Sequence, residues 1–151
     1  MFLQHGFLWL ILMSGMNKKI VDKLSYDVLG AAIEVHKDLG PGLLENVYHE
    51  CIKHELSLRN ISFLTELIIP VNFKGLAINV DLRCDLFVEN LLVVELKAVS
   101  IFAPIHQAQL LTYMKLLGAP KGLLINFNSV ILFKDGQKTL VNDIYRTLPD
   151  E

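Results

Sequence analysis

Two charged residues interrupt an apolar stretch near the middle of the chain. Glu95 and Lys97 lie within the run 92–99, and their spacing of two places both side chains on the same face of a β-strand. Burial of a carboxylate and an ammonium group in apolar surroundings is unfavourable unless they pair or bind a metal. From these two residues alone, a structural ion pair and a metal-linked site are equally open.

Asp85, on the preceding strand, favours the metal-linked interpretation. Residues 80–89 alternate between two faces, and Asp85 lies on the more polar one. A three-residue loop at 89–91 would place Asp85 opposite Glu95, with their Cβ atoms about 4.5–5.5 Å apart. Carboxylates that close repel unless a divalent cation lies between them, and Mg²⁺ accepts one or two carboxylates while keeping water or phosphate oxygens. Lys97 could then act on a water or stabilise charge on a phosphate.

The surrounding pattern predicts the elements that must position these residues. Helices are predicted at 25–39, 43–58 and 103–117, and strands at 61–75, 80–89, 92–99 and 121–127. A short apolar stretch at 130–133 and a polar tail follow. The run 92–99 is apolar on both faces, which is typical of a central strand, and the step to 121–127 through a helix requires a parallel pair. We therefore predict an α/β fold with a mixed central sheet flanked by helices.

Composition limits the function classes. The chain has 151 residues, of which 52% are hydrophobic, so it can bury a substantial core as one domain. Its net charge of −2 argues against a long basic track for nucleic acid, although a metal-binding pocket is itself acidic. Cys51 and Cys84 form no CxxC pattern, which predicts reduced core cysteines in a cytoplasmic protein and no zinc or iron–sulfur site.

The first residues form a separate apolar segment. Residues 2–13 are too few to span a bilayer, which needs about 20 residues, and they include no basic side chain. We expect residues 1–15 to be an extension outside the fold, residues 16–151 to form a single domain, and no membrane partner. Membrane association through 2–13 is the less favoured alternative.

Three motifs carry a family resemblance. The segment 42–48 contains Gly42, Glu45 and Tyr48 at the spacing GxxExxY, and 109–113 has the spacing QxxxY. Between them, Asp85 is followed after nine residues by Glu95-Leu96-Lys97, a D…ExK pattern. Over about 20–135 the chain resembles the GxxExxY protein family, a branch of the PD-(D/E)XK, or restriction-endonuclease-like, nuclease superfamily. Cys84 stands where the superfamily name has proline.

The resemblance implies a metal-dependent nuclease that hydrolyses phosphodiester bonds with Mg²⁺ or Mn²⁺. Asp85, Glu95 and the backbone carbonyl of Leu96 would hold the metal. Glu45 would complete the metal shell or orient a water, and Lys97 would act on the attacking water or the phosphate. Without the motifs, the preferred explanation of Glu45 is an acid that the dipole favours at a helix N-terminus.

Other residues are implied in supporting roles. Tyr48, Gln109 and Tyr113 would contact the substrate or buttress the site, although Gln109 and Tyr113 alone would also fit a polar helix edge. The implied partner is nucleic acid, either DNA or RNA, and no homo-oligomer is indicated. The alternative function is a catalytically weak or inactive module of nuclease fold that binds nucleic acid or a protein.

Overall fold

The computed structural model describes residues 15–151, which form an α/β fold around a mixed five-stranded sheet. The helices are α1 (Lys18–Leu39), α2 (Glu45–Leu58), α3 (Pro104–Leu117), α4 (Leu132–Asp135) and α5 (Asp143–Thr147). The strands are β1 (Phe63–Ile68), β2 (Val71–Phe73), β3 (Leu76–Ile78), β4 (Arg83–Val88), β5 (Leu92–Lys97), β6 (Lys121–Asn126) and β7 (Gln137–Val141). The predicted class, a mixed sheet flanked by helices, is confirmed.

The main sheet has the strand order β1-β4-β5-β6-β7, so β5 is central. The pair β5–β6 is parallel and the other neighbours are antiparallel. Helix α3 connects the two parallel strands, as the predicted crossover requires. Every residue of β5 before Lys97 is buried, which confirms the prediction of a central strand.

The β4–β5 hairpin has the predicted register. Val88 pairs with Leu92, which leaves a three-residue loop at 89–91. Glu89 and Asn90 adopt left-handed backbone angles there, with φ of 51° and 55°. Extending this register toward the open end of the hairpin brings Asp85 opposite Glu95.

Helices cover both faces of the sheet. Helices α1 and α2 pack against Leu86, Val94 and Leu96, whereas α3 packs against residues that include Phe87 and Val93. Helix α3 lies very close to the sheet at Gly122, above which Met114 and Leu110 pack. The two helix layers bury most of β4, β5 and β6. Because β5 and β6 are parallel, their carboxyl-terminal ends lie at the same edge of the sheet.

Local signals explain the helix boundaries. Helix α1 starts at Lys18 rather than at the predicted residue 25, because Asn17 caps it: its Oδ1 accepts a hydrogen bond of 2.9 Å from the Ile20 N–H. It ends at Gly40, whose φ is 67°. Helix α3 agrees with the prediction within one residue, and Gly118 follows its end with a left-handed backbone.

The predicted strand 61–75 was wrong in its second half. Strand β1 ends at Ile68, and Pro70, which has no N–H to donate, separates it from β2. Strands β2 and β3 instead form a small hairpin of their own. Its turn residues, Lys74 and Gly75, have φ of 47° and 87°, as a tight two-residue hairpin turn requires.

The segment after β6 contains more structure than predicted. It forms α4, the edge strand β7 and α5 in place of an apolar stretch and a polar tail. No helix within 15–151 has the length and apolar character needed to cross a membrane. The apolar segment 2–13, and all of the predicted extension except residue 15, lie outside the described residues.

Candidate active site

Two carboxylates face each other across the open end of the β4–β5 hairpin. The Asp85 N–H donates to Glu95 Oε1 at 3.1 Å, and the Leu96 N–H donates to Asp85 Oδ2 at 2.8 Å. Glu95 is only 4% exposed, and Asp85 is half-buried. Because each carboxylate accepts a backbone N–H from the other strand, both are fixed by the main chain.

At the two carboxylates, hydrogen bonds to side chains replace the regular backbone hydrogen bonds between β4 and β5. The β4–β5 pairing runs as far as Leu86 and Val94, and the next pair is the two carboxylates. On the other side of Asp85, the β1–β4 pairing skips Glu66, whose φ is 51°. Cys84 packs with Phe87, on the α3 side, and not with Leu86 as strict alternation predicted.

Two carboxylates that face each other repel when both are charged, and a bound cation would offset this repulsion. Burial, and then the neighbouring Asp85 charge, raise the pKa of Glu95 to about 8. Two opposed carboxylates with few other donors suit Mg²⁺ or Mn²⁺, because such ions accept one or two carboxylates and keep other oxygen ligands. Within 15–151, no group of three or more His, Cys, Asp or Glu side chains is placed to hold a metal ion. The carboxylate pair therefore fits an ion that obtains its other ligands from backbone, water or phosphate.

Lys97 is on the same face as the pair. It is the last residue of β5, it is half-buried, and its charge lowers the pKa of Glu95. Among residues 15–151, no carboxylate oxygen lies within 4.0 Å of its ammonium group. A direct ion pair between Glu95 and Lys97 is therefore not formed, and the ammonium group is available to a ligand.

Helix α3 covers this face of the sheet and brings Gln109 and Tyr113 toward the pair. Gln109 Nε2 donates to the Tyr113 hydroxyl at 2.7 Å. Burial, and then the Glu95 charge, raise the pKa of Tyr113, which keeps the phenol neutral. Burial also raises the pKa of Cys84, so this thiol stays protonated beside the carboxylates.

Asn126 is a buried polar residue near the site that sequence reasoning missed. It is the last residue of β6, it is 3% exposed, and it pairs with Lys97 in the parallel ladder. Its side chain forms hydrogen bonds with both backbone polar groups of Val99. The available signal was an amide side chain at the end of a strand that is apolar apart from Lys121 at its start.

The geometry can be compared with known proteins. A family model described as the PD-(D/E)XK nuclease superfamily matches residues 22–140. The chain belongs to the PD-(D/E)XK nuclease superfamily. This confirms the predicted fold class, since the match covers most of the described elements. Searches of curated proteins and of solved structures gave no match.

Glu45 lies apart from the two carboxylates of this PD-(D/E)XK chain. It is the first residue of α2, it is exposed, and α2 packs on the face of the sheet opposite to α3. The structure brings Asp85 and Glu95 together but does not add Glu45 as a third acid at metal-binding spacing among the described residues. A metal-linked role for Glu45 stays a prediction from the resemblance.

Tyr48 occupies a position inside the fold. It is fully buried and stacks on Phe127 with ring centroids 4.6 Å apart. Its hydroxyl donates to the Gly40 carbonyl at 2.5 Å and accepts from the Leu43 N–H at 3.1 Å. These contacts fix the turn between α1 and α2, so in this superfamily member Tyr48 supports the loop next to Glu45.

The raised pKa of Glu95 predicts a pH dependence of stability. Between its ordinary pKa of 4.5 and about 8, the unfolded chain has lost a proton that the folded chain keeps. The free energy of unfolding of the metal-free protein should therefore fall as pH rises through this window. Glu95→Gln keeps the acceptor for the Asp85 N–H and removes the titration. Urea unfolding at about pH 5 and about pH 8 should show a smaller pH-dependent loss for this variant. Equal losses in the two proteins would contradict the assignment.

Proposed function

We propose that this chain is a metal-dependent nuclease that hydrolyses phosphodiester bonds in nucleic acid, and that it belongs to the GxxExxY branch of the superfamily. The observation that carries the proposal is the Asp85–Glu95 pair, with Glu95 buried and Lys97 on the same face of the sheet. Carboxylates and a lysine in this arrangement combine a site for a hard cation with a positive charge beside it. Superfamily membership supports the same chemistry.

Mg²⁺ or Mn²⁺ is the proposed cofactor. Asp85, Glu95 and the backbone carbonyl of Leu96 would hold it, since hard cations take oxygen ligands. When bound, such a cation supplies Lewis-acid stabilisation of the charge that develops on the phosphate. Glu45 enters the proposal through the resemblance alone, as the acid that completes the metal shell or orients a water.

The chain's own side chains have separate tasks in this proposal. The backbone N–H groups of Asp85 and Leu96 hold the two carboxylates in place, so little reorganisation is needed when a ligand arrives. The Lys97 amino group donates to a phosphate oxygen or takes a proton from the attacking water. Gln109 and Tyr113 contact the substrate backbone or buttress the site from α3.

Calorimetric titration of Mn²⁺ into the full chain tests the proposed metal site. The comparison protein is the double variant Asp85→Ala/Glu95→Ala, which removes both carboxylates. We expect the unmodified chain to bind Mn²⁺ and this variant to lose the binding and all cleavage activity. Retained binding by the variant would place the metal elsewhere, and unchanged cleavage would reject the assignment.

The matched control for that experiment is Glu34→Ala/Asp38→Ala. Both residues are exposed on α1, so the control removes the same formal charge away from the pair. It should bind Mn²⁺ and cleave like the unmodified chain, and circular dichroism should show all three proteins folded. A folded chain that neither binds Mn²⁺ nor cleaves DNA or RNA would favour the alternative, a binding module of nuclease fold.

A further inference from the structure

The Asn126 side chain joins two loops at the open edge of the sheet. Its Oδ1 accepts from the Val99 N–H at 3.0 Å and from the Asn128 N–H at 3.1 Å, and its Nδ2 donates to the Val99 carbonyl at 2.8 Å. One buried amide therefore satisfies three backbone groups. Buried polar groups that lose such partners carry a substantial cost, so the arrangement is strongly held.

These bonds fix the chain immediately after Lys97. Strand β5 ends at Lys97, and the chain must then turn through 98–103 to enter α3. The Lys97 carbonyl accepts from the Phe127 N–H at 2.9 Å, while two residues later Val99 is held by Asn126. Lys97 is thus the last residue of β5, and the loop that follows it is anchored to β6 by the Asn126 side chain.

We propose that Asn126 is a positioning residue for Lys97. The inference rests on the proposed function, because it assigns Asn126 a task in placing the Lys97 amino group against the substrate phosphate. Polar groups contribute to catalysis only when they are held near the productive geometry, and supporting hydrogen bonds provide that constraint. Asn126 acts through the backbone of 97–99 and does not itself reach the reacting atoms.

The chain contains a matched control for this inference. The Asn142 side chain makes comparable hydrogen bonds to the backbone beyond the opposite end of β6. Its Nδ2 donates to the Ala119 carbonyl at 2.8 Å, and its Oδ1 accepts from the Tyr145 N–H at 3.3 Å. Asn126 and Asn142 therefore make similar hydrogen bonds to the backbone, one at each end of β6. Only Asn126 is next to Lys97.

The test compares Asn126→Ala and Asn142→Ala in the full chain. Thermal unfolding, Mn²⁺ affinity, amide hydrogen exchange and steady-state cleavage are measured for each. We expect both variants to unfold at a lower temperature and to keep Mn²⁺ affinity. Only Asn126→Ala should accelerate exchange at the Val99 and Phe127 amides by at least about tenfold and lower kcat by at least about tenfold, with KM changed much less.

Three outcomes would overturn the inference. They are equal kcat losses in the two variants, unchanged kcat in Asn126→Ala despite faster exchange, and unchanged exchange at Val99 and Phe127. If the unmodified chain cleaves no nucleic acid, the proposed function fails separately. The exchange measurement then decides on its own: protection lost only in Asn126→Ala supports the anchoring of Lys97, and retained protection overturns it.

Discussion

Replacing Lys97 with methionine is expected to lower the rate of nucleic-acid cleavage by about 10²- to 10⁴-fold, the usual contribution of a positioned proton-transfer or charge-stabilising group. The effect should be this large because the ammonium group has no competing carboxylate within 4.0 Å among residues 15–151. Methionine keeps most of the length and apolar volume of the side chain. The variant should therefore fold, and Asp85 and Glu95 should still bind Mn²⁺.

Single-turnover cleavage at saturating Mn²⁺ measures this effect without interference from product release. Lys115→Met is the matched control, because Lys115 is exposed on α3 and its loss changes the net charge equally. The control should cleave at nearly the unmodified rate. A Lys97→Met protein that binds Mn²⁺ and cleaves within a factor of about three of the unmodified chain would exclude Lys97 from the chemistry.

Replacing Gly122 with alanine is expected to destabilise the fold by about 1–3 kcal/mol, the usual cost of overpacking a core. Gly122 lies in β6 beneath α3, and a Cβ there would be 2.5 Å from Met114 Sδ and 2.8 Å from Leu110 Cδ1. Both contacts are shorter than van der Waals separation, so α3 must shift or its side chains must leave their rotamers. Because α3 also carries Gln109 and Tyr113, a shift would disturb the candidate site.

Urea unfolding measures the change in the free energy of unfolding. Gly30→Ala in α1 is the control, because within residues 15–151 its added Cβ would meet only the Arg59 guanidinium, at 3.3 Å, and this flexible group can move. Alanine is also favoured over glycine in a helix by roughly 0.5–1 kcal/mol, so the control should be neutral or slightly stabilising. Equal stability of the two variants would show that α3 tolerates a methyl group at Gly122.

The carboxylate pair could be predicted from the sequence because its geometry is local. Asp85 and Glu95 lie on consecutive strands, so their pairing depends only on the length of the intervening loop and on the two-residue period of a strand. The same reasoning placed Lys97 with Glu95. The tasks of Gln109 and Tyr113 came from the family resemblance alone, and the structure places their helix, α3, over this face of the sheet.

Features that depend on distant contacts could not be predicted in this way. The position of Asn126 beside Lys97 follows from a parallel pairing between strands that a whole helix separates in the chain, and a polar residue at the end of β6 does not by itself reveal that neighbour. Strand β7 is an edge strand in which no residue is buried, so its sequence lacks the apolar pattern of the central strands. The sequence placed a bend or an edge at Pro70 but not the end of β1, because apolar residues recur beyond Pro70 at Val71 and Phe73 although the pairing of β1 stops at Ile68.

The residues of the site differ greatly in the sequence separation of their contacts, and this has a consequence for folding. A hairpin such as β4–β5 closes within about 1–10 μs, whereas a parallel pair joined through a helix forms more slowly because a long loop must close first. The Asp85–Glu95 pair should thus assemble before Asn126 anchors the loop after Lys97. Pulse-labelling hydrogen exchange during refolding should then protect the Leu96 amide before the Val99 amide, and the reverse order would contradict this sequence of events. Under the proposed function, a refolding chain would form its carboxylate pair before the loop that follows Lys97 is anchored.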